Sequence, residues 1–184
     1  GQAIIRAAEK ILQGEHAEQF PVDIFQTGSG TSTNMNVNEV LAHLASNMSS
    51  ESVGANDHVN MGQSSNDVIP TAIHISAALE CHRQLLPALN HLAETIETKA
   101  SACQQYTKTG RTHLMDAMPM TLEQELGAWA LQIRNGSARI HSALPRVQKL
   151  AQGGTAVGTG INAHPEFAQK FAQAMSDVTE INFS

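Results

Sequence analysis

The sequence predicts an all-α fold, and three observations carry the prediction. Apolar residues recur in alternating steps of three and four over two long stretches, Ala72 to Ile96 and Leu122 to Val147, the spacing of helices packed along a bundle seam. Aromatic residues make up only 4% of the chain while Ala, Leu, Ile and Met abound, a composition suited to helix-on-helix contacts rather than a sheet core. Period-two alternation, the mark of a half-buried strand, is hard to find anywhere.

Length and charge narrow the function. The 184 residues suit one domain, or one domain and part of another. The charge balance, 11 Lys+Arg against 17 Asp+Glu for a net −6, includes no basic run that would grip phosphates. Nucleic acid is therefore not an expected partner. Cys81 and Cys103 have neither metal-type spacing nor the density of a disulfide framework, which suits a reducing compartment. No apolar run approaches the length of a membrane span and no signal-like segment opens the chain, so a soluble, non-secreted, cytoplasmic protein is expected, or a mitochondrial matrix one in a eukaryote.

Taken in order, residues 1–14 place Ile4, Ile5, Ala8, Ile11 and Leu12 on one helical face that ends at Gly14. Residues 15–26, with Pro21, read as a packed irregular connection. The stretch from Gln26 to Asn36 sets glycines and small hydroxyl residues ahead of a helical pattern running through Val37, Val40, Leu41, Leu44 and Met48. Glycines let backbone N–H groups approach a ligand, and a helix N-terminus favours an anion. A helix cap with spare Ser and Thr explains the same residues. Residues 47–60 read as a loop carrying Asn56, Asp57 and His58.

From Gly62-Gln-Ser-Ser-Asn-Asp67 the longest pattern begins, with Asp67 near its start and Pro70 in its first turn. It predicts a helix over 67–100 that Pro87 kinks, because proline removes a backbone donor and clashes with the preceding turn at a cost of about 3 kcal/mol. His74, His82 and His91 share no stripe on it and read as packing or surface histidines.

Lys108-Thr-Gly-Arg-Thr-His-Leu-Met-Asp116 follows, read as a connection between helices. It concentrates a glycine, a fixed cation, a hydroxyl donor and a group that titrates near neutrality. Those are parts for handling a small acid, although an ordinary polar connection with a solvated histidine fits the residues alone. Thr121 and Gln124 are spaced as a capping box opening a helix over 121–152. Such a helix spans on the order of 45 Å at about 1.5 Å per residue, and Pro145 should bend it. The glycine-rich Gly153 to Gly160 ends it, and Pro165 opens an amphipathic segment with Phe167, Phe171 and Met175.

Four blocks, in this order, resemble the fumarase/aspartase superfamily and most closely its class II fumarases. They are Gly28-Ser-Gly-Thr-Ser-Thr-Asn-Met-Asn36; Asn56-Asp-His-Val-Asn60 with Gln63-Ser-Ser-Asn-Asp67; Gly110-Arg-Thr-His-Leu114; and Gly153-Gly-Thr-Ala-Val-Gly-Thr-Gly160. The resemblance implies that residues 1–62 are the C-terminal part of an N-terminal helical domain. Residues 63–184 would be the first part of a central bundle of long antiparallel helices. It implies reversible hydration of fumarate to malate in the tricarboxylic acid cycle without metal or organic cofactor, by a homotetramer whose active sites draw loops from three subunits. It implies that Ser29, Gly30, Thr31, Ser64, Ser65, Asn66 and Thr112 hold the substrate carboxylates, and that His113 moves the protons of the water. Neutral hydroxyl and amide donors suit a dianion whose charge grows during reaction, and an imidazole, with an ordinary pKa of about 6.5, can act in both directions.

Aspartate ammonia-lyases resemble the third block but carry Gln where this chain has His113, so the exchanged molecule is expected to be water rather than ammonia. An ammonia-lyase or other fumarate-releasing lyase is the alternative enzyme, and a structural helical scaffold the alternative outside catalysis. Asn56 and Asp57 are the candidates for a secondary anion site, with Gly54 where many members carry a histidine. Met115 and Glu123 replace a usual glutamine and glycine. The family's mobile serine loop, a Gly-Ser-Ser followed by Met-Pro-Gly-Lys, is not among these residues, and the chain is expected to be a piece of the enzyme, inactive by itself.

Overall fold

A computed structural model describes residues 1–23, 25 and 29–184. Gly28, which opens the first block, lies outside them. The chain forms two compact units, one of residues 1–75 with 149–184 and one of residues 76–148.

In the first unit, α1 (Gln2–Leu12) packs on α2 (Thr31–Asn47). The buried residue of α1 is Ala7, whereas Ile5 and Leu12 of the predicted face are exposed. Helix α2 turns Ala42 and Ala45 inward, yet its first half buries two amides, Asn34 and Asn38. Both are satisfied: Asn34 Nδ2 donates to Ser65 Oγ at 2.9 Å and Asn38 Nδ2 to Asn60 Oδ1 at 3.1 Å. A polar stripe one turn apart thus ties α2 to Asn60 and to Ser65, the first residue of the helix that follows. Residues 47–60, expected as a loop, include a π-helical turn at Ala55–Val59. The helix α6 (Phe167–Thr179) covers the glycine-rich loop, and the chain end returns beside it, Leu150 N–H donating to the Ser184 carbonyl at 2.7 Å.

Helix α3 (Ser65–Glu80) starts two residues earlier than predicted. Pro70 therefore sits in its second turn, where it cannot donate to the Asn66 carbonyl. A π-helical turn, Cys81–Leu85, separates α3 from α4 (Leu86–Ala102). Here the expected kink takes another form. In a regular helix the Pro87 ring would press on the Arg83 carbonyl; widening the turn by one residue, so that Leu86 N–H donates five residues back to Cys81, makes room for it.

In the second unit α4 packs on α5 (Leu122–Val147), which ends five residues short of the predicted Gln152. Glu97 meets Arg134 and His82 meets Gln148, so the two helices run antiparallel. Their buried residues fall at seven-residue steps: Leu86, Ala93 and Ala100 on one, Ala130, Ser137 and Leu144 on the other. Four of these six seam residues are Ala or Ser, while Trp129, on the same helix as the last three, is exposed. Small side chains let the backbones approach closely.

Between these helices the expected helix-to-helix connection is a two-stranded antiparallel hairpin, β1 (Thr107–Thr112) with β2 (Met115–Thr121). It adds a small sheet to an otherwise helical fold. The Thr121–Gln124 capping box is present, each side chain bonded to the other's backbone N–H. Lys108 Nζ contacts both carboxylate oxygens of Glu125 at 2.7 Å and fixes the hairpin to α5.

The Arg134–Glu97 pair is bidentate, at 2.6 and 2.7 Å, and the guanidinium's hydrogen bonds hold the Glu97 carboxyl below its ordinary 4.5. A lowered folded-state pKa stabilises the fold above the unfolded value and loses that contribution as pH falls through the folded one. Glu97→Gln is therefore expected to lower Tm slightly at pH 7, since the pair is half-exposed. Thermal melts across pH should show the gap closing below 4.5.

Candidate functional site

Six of the seven carboxylate-binding candidates, Ser29, Gly30, Thr31, Ser64, Ser65 and Asn66, lie in the first unit. Ser64 is the N-cap of α3: its Oγ accepts from Asn66 N–H at 3.2 Å while Asp67, at the third helical position, accepts from Ser64 N–H at 2.9 Å. This is half of a capping box, with Asp in the place usually held by Glu, while the Ser64 hydroxyl takes the N–H of the second helical residue instead of the third. Ser65 Oγ accepts from Asn34. Each serine hydroxyl thus has one acceptor position filled and, among the described residues, donates to no partner, so its proton can serve an acceptor such as an anion.

Ser29 and Thr31 answer the capping question. Neither caps α2; their hydroxyls lie 3.2 Å from each other. Gly30 between them has φ 69°, and a Cβ there would come within 2.9 Å of the Ile69 side chain. Glycine is required both by the left-handed backbone and by the contact that sets Ser29 and Thr31 against α3. Asn66 is exposed, with Nδ2 donating to the Ala156 carbonyl at 2.8 Å.

Asn56 and Asp57 are exposed on the π-helical turn and line an open cleft of about 440 Å³ with Asn60, Gln63, Ser64 and Thr155. Gly54 N–H donates to His58 Nδ1 at 2.8 Å. The His58 imidazole thus lies beside Gly54.

Thr112 and His113 belong to the second unit, at the hairpin tip, and both are exposed. Thr112 pairs with Met115, leaving His113 and Leu114 as a two-residue turn with φ 48° and 63°. Positive φ at both central positions is the demand of a type I′ turn, normally met by Asn-Gly. His-Leu meets it under strain of about 1–2 kcal/mol per residue. Gly110 is not the turn. It faces a bulge of Ala117 and Met118 on β2, where a Cβ would stand 2.6 Å from the Met118 carbonyl.

A family model described as Lyase matches residues 1–184. The chain belongs to this lyase family. Over 183 residues this lyase chain is 59% identical to the protein named fumarate hydratase class II 2 of Pseudomonas aeruginosa, covering 100% of this chain and 40% of that protein. A fumarate hydratase class II of Xylella fastidiosa is 53% identical over 177 residues, 96% of this chain and 37% of its own. The crystal structure of recombinant class II fumarase from Schistosoma mansoni superposes with a TM-score of 0.92 at 44% identity, over 97% of this chain and 39% of that one. The lyase chain thus spans about 40% of the length of the first of these relatives.

Sequence reasoning missed three contributors. Asp67 was visible only as a helix-start residue, Asn34 only as part of a block, and Thr155 only as a member of a glycine-rich stretch. Short-range pattern could have found the Ser64–Asp67 box; the other partners lie 31 to 88 residues away.

The hairpin is directly testable by urea unfolding. Gly110→Ala is expected to cost about 1–3 kcal/mol, the usual penalty for forcing an atom into a filled space. Leu114→Gly should instead gain up to about 1 kcal/mol, strain relief less the entropy of glycine.

Proposed function

We propose that the whole protein is a fumarate hydratase, adding water reversibly across the double bond of fumarate to give malate. The observation that carries this reading is the set of neutral donors at the start of α3, Ser64 and Ser65, each with an acceptor position filled and, among the described residues, its proton given to no partner. The 59% identity to a fumarate hydratase supports the choice of substrate.

In this reading Ser29, Gly30, Thr31, Ser64, Ser65, Asn66 and Thr112 bind the two carboxylates. When the C–H beside one carboxylate of malate is deprotonated, charge spreads onto that carboxylate, and donors already in place stabilise it without reorganising. His113 carries the proton of the departing or arriving water. The base that takes the proton from carbon comes from the serine loop of the whole protein. No metal or organic cofactor is needed, because hydrogen-bond donors and two proton carriers supply the chemistry.

The sites are shared among subunits of a homotetramer, residues 1–62 ending its N-terminal domain and residues 63–184 beginning its helical core. Among the described residues no helix is long and apolar enough to cross a membrane, and the proposed compartment is the cytoplasm. Asn56 and Asp57 form a secondary anion site to which His58 brings the imidazole that Gly54 lacks; a Cβ at Gly54 would press to 3.4 Å from that ring.

Two measurements test the proposal. The whole protein should hydrate fumarate and leave aspartate untouched, followed by absorbance of the double bond; turnover of aspartate but not malate would sink it. His113→Asn should lower turnover by about 10² to 10⁴, the range for a lost acid–base group, and a change of less than a few-fold would return His113 to an ordinary turn residue.

The 184-residue chain alone should show no fumarate hydration, because groups acting as a unit lose nearly all their effect when one is missing. Activity should return when chains carrying the serine loop co-assemble with it. Robust turnover by the isolated chain would show the assignment of roles to be wrong.

A further inference from the structure

Asp67 is the most completely buried large side chain among the described residues, at 1% exposure. Its two oxygens do different things. Oδ1 accepts from Ser64 N–H at 2.9 Å, closing the turn that presents the two serines. Oδ2 reaches across 86 and 88 residues of sequence to accept from Gly153 N–H at 3.1 Å and Thr155 N–H at 2.7 Å. A carboxylate only accepts, and here it meets three backbone donors, so burial leaves it well satisfied.

The second segment is not relaxed. Thr155 has φ 57°, an outlier for a β-branched residue, and its buried hydroxyl has no partner among the described residues. Gly153, at φ 95°, lies where a Cβ would be 2.7 Å from that of Ala168. Strain of this kind persists where surrounding structure over-determines it, and it gathers at ligand sites. Thr155 and Ser64 line the same cleft. Two further bonds run in parallel, Asn66 Nδ2 to the Ala156 carbonyl at 2.8 Å and Gln152 Nε2 to Gln63 Oε1 at 3.1 Å. Neither reaches the Ser64 backbone.

We infer that Asp67 is a positioning residue for the dicarboxylate site, its buried carboxylate locking the Ser64–Asn66 turn to the strained Gly153–Thr155 segment so that the serine hydroxyls are held for substrate. This rests on the fumarate hydratase reading for its ligand but not for the clamp itself. Asp67 does not touch substrate; it acts through Ser64. Its removal therefore weakens binding more than chemistry, and leaves the pH dependence set by His113 where it was.

The experiment uses the whole protein with Asp67→Asn, Ser64→Ala and the double substitution. Asp67→Asn swaps one acceptor for a donor and should raise KM for fumarate by about ten-fold or more, the scale of a lost charge-assisted hydrogen bond. The change in kcat should stay within about three-fold, with the pH profile of kcat unmoved. In the double variant the KM effects should fall short of the product of the two single ones, because the residues form one unit. Full additivity, an unchanged KM, or a loss confined to kcat would overturn the inference.

If Asp67→Asn fails to fold, Thr155→Gly serves in its place. It keeps the N–H donor but frees the backbone, so it should raise KM several-fold without lowering Tm, and an unchanged KM would overturn the inference. If the wild-type protein leaves fumarate untouched, the function reading fails and amide exchange decides the clamp. Faster exchange in Asp67→Asn, or in Thr155→Gly where the former does not fold, at both 63–67 and 153–156, with α4 and α5 unchanged, sustains it. Loss of protection in only one segment refutes it.

Discussion

One buried carboxylate organises the first unit. Asp67 caps the start of α3 through Ser64 and, with its other oxygen, draws in the backbone of a loop distant in sequence. A buried acceptor surrounded by donors is costly to disturb, since removing it strands three N–H groups away from water. Around this point the neighbouring polar groups find partners in turn: Asn34 with Ser65, Asn38 with Asn60, Gln152 with Gln63. The interior here is held by directional bonds as much as by apolar contact. That suits a surface whose hydroxyls must be aimed rather than merely present.

The second unit follows another rule. Alanine and serine, with one leucine on each helix, fall at seven-residue steps and bring α4 and α5 together. The ion pairs Arg134–Glu97 and Lys108–Glu125 sit at the margins, where they set register and attach the hairpin more than they add stability. Exposed side chains such as Trp129 and Leu131 lie outside that seam.

Sequence alone reached most of the helices and named the residues of the candidate site, and its failures on the fold have physical causes. Periodicity located α2, α4, α5 and α6, and the Thr121–Gln124 box was correct to the residue because capping is local chemistry. The hairpin was illegible: neither strand has a face buried against a core, so no alternation is written into it, and the turn carries His-Leu where Asn-Gly would have announced it. The π-helical turn before Pro87 was read as a kink, since composition does not say how a helix will accommodate a proline. Periodicity over Ala72 to Ile96 and Leu122 to Val147 covered the seam, but it could not say that Ala100, Ala130 and Ser137 would be buried in it beside Leu86, Ala93 and Leu144. Asp67 looked like a helix-start residue because its other partners are nearly half the chain away.

The two-residue turn at His113 and Leu114 makes this connection unlike most loops, which accept insertions and deletions freely. Adding or removing a residue there would shift the pairing of Thr112 with Met115 and turn alternate side chains of one strand to the opposite face. The bulge at Ala117 and Met118, already fitted against Gly110, leaves little slack to absorb the change. Beside the glycine at 110, length is a quantity this segment holds fixed. Relatives that differ freely in the composition of their strands should still keep the count from Gly110 to Met118 unchanged.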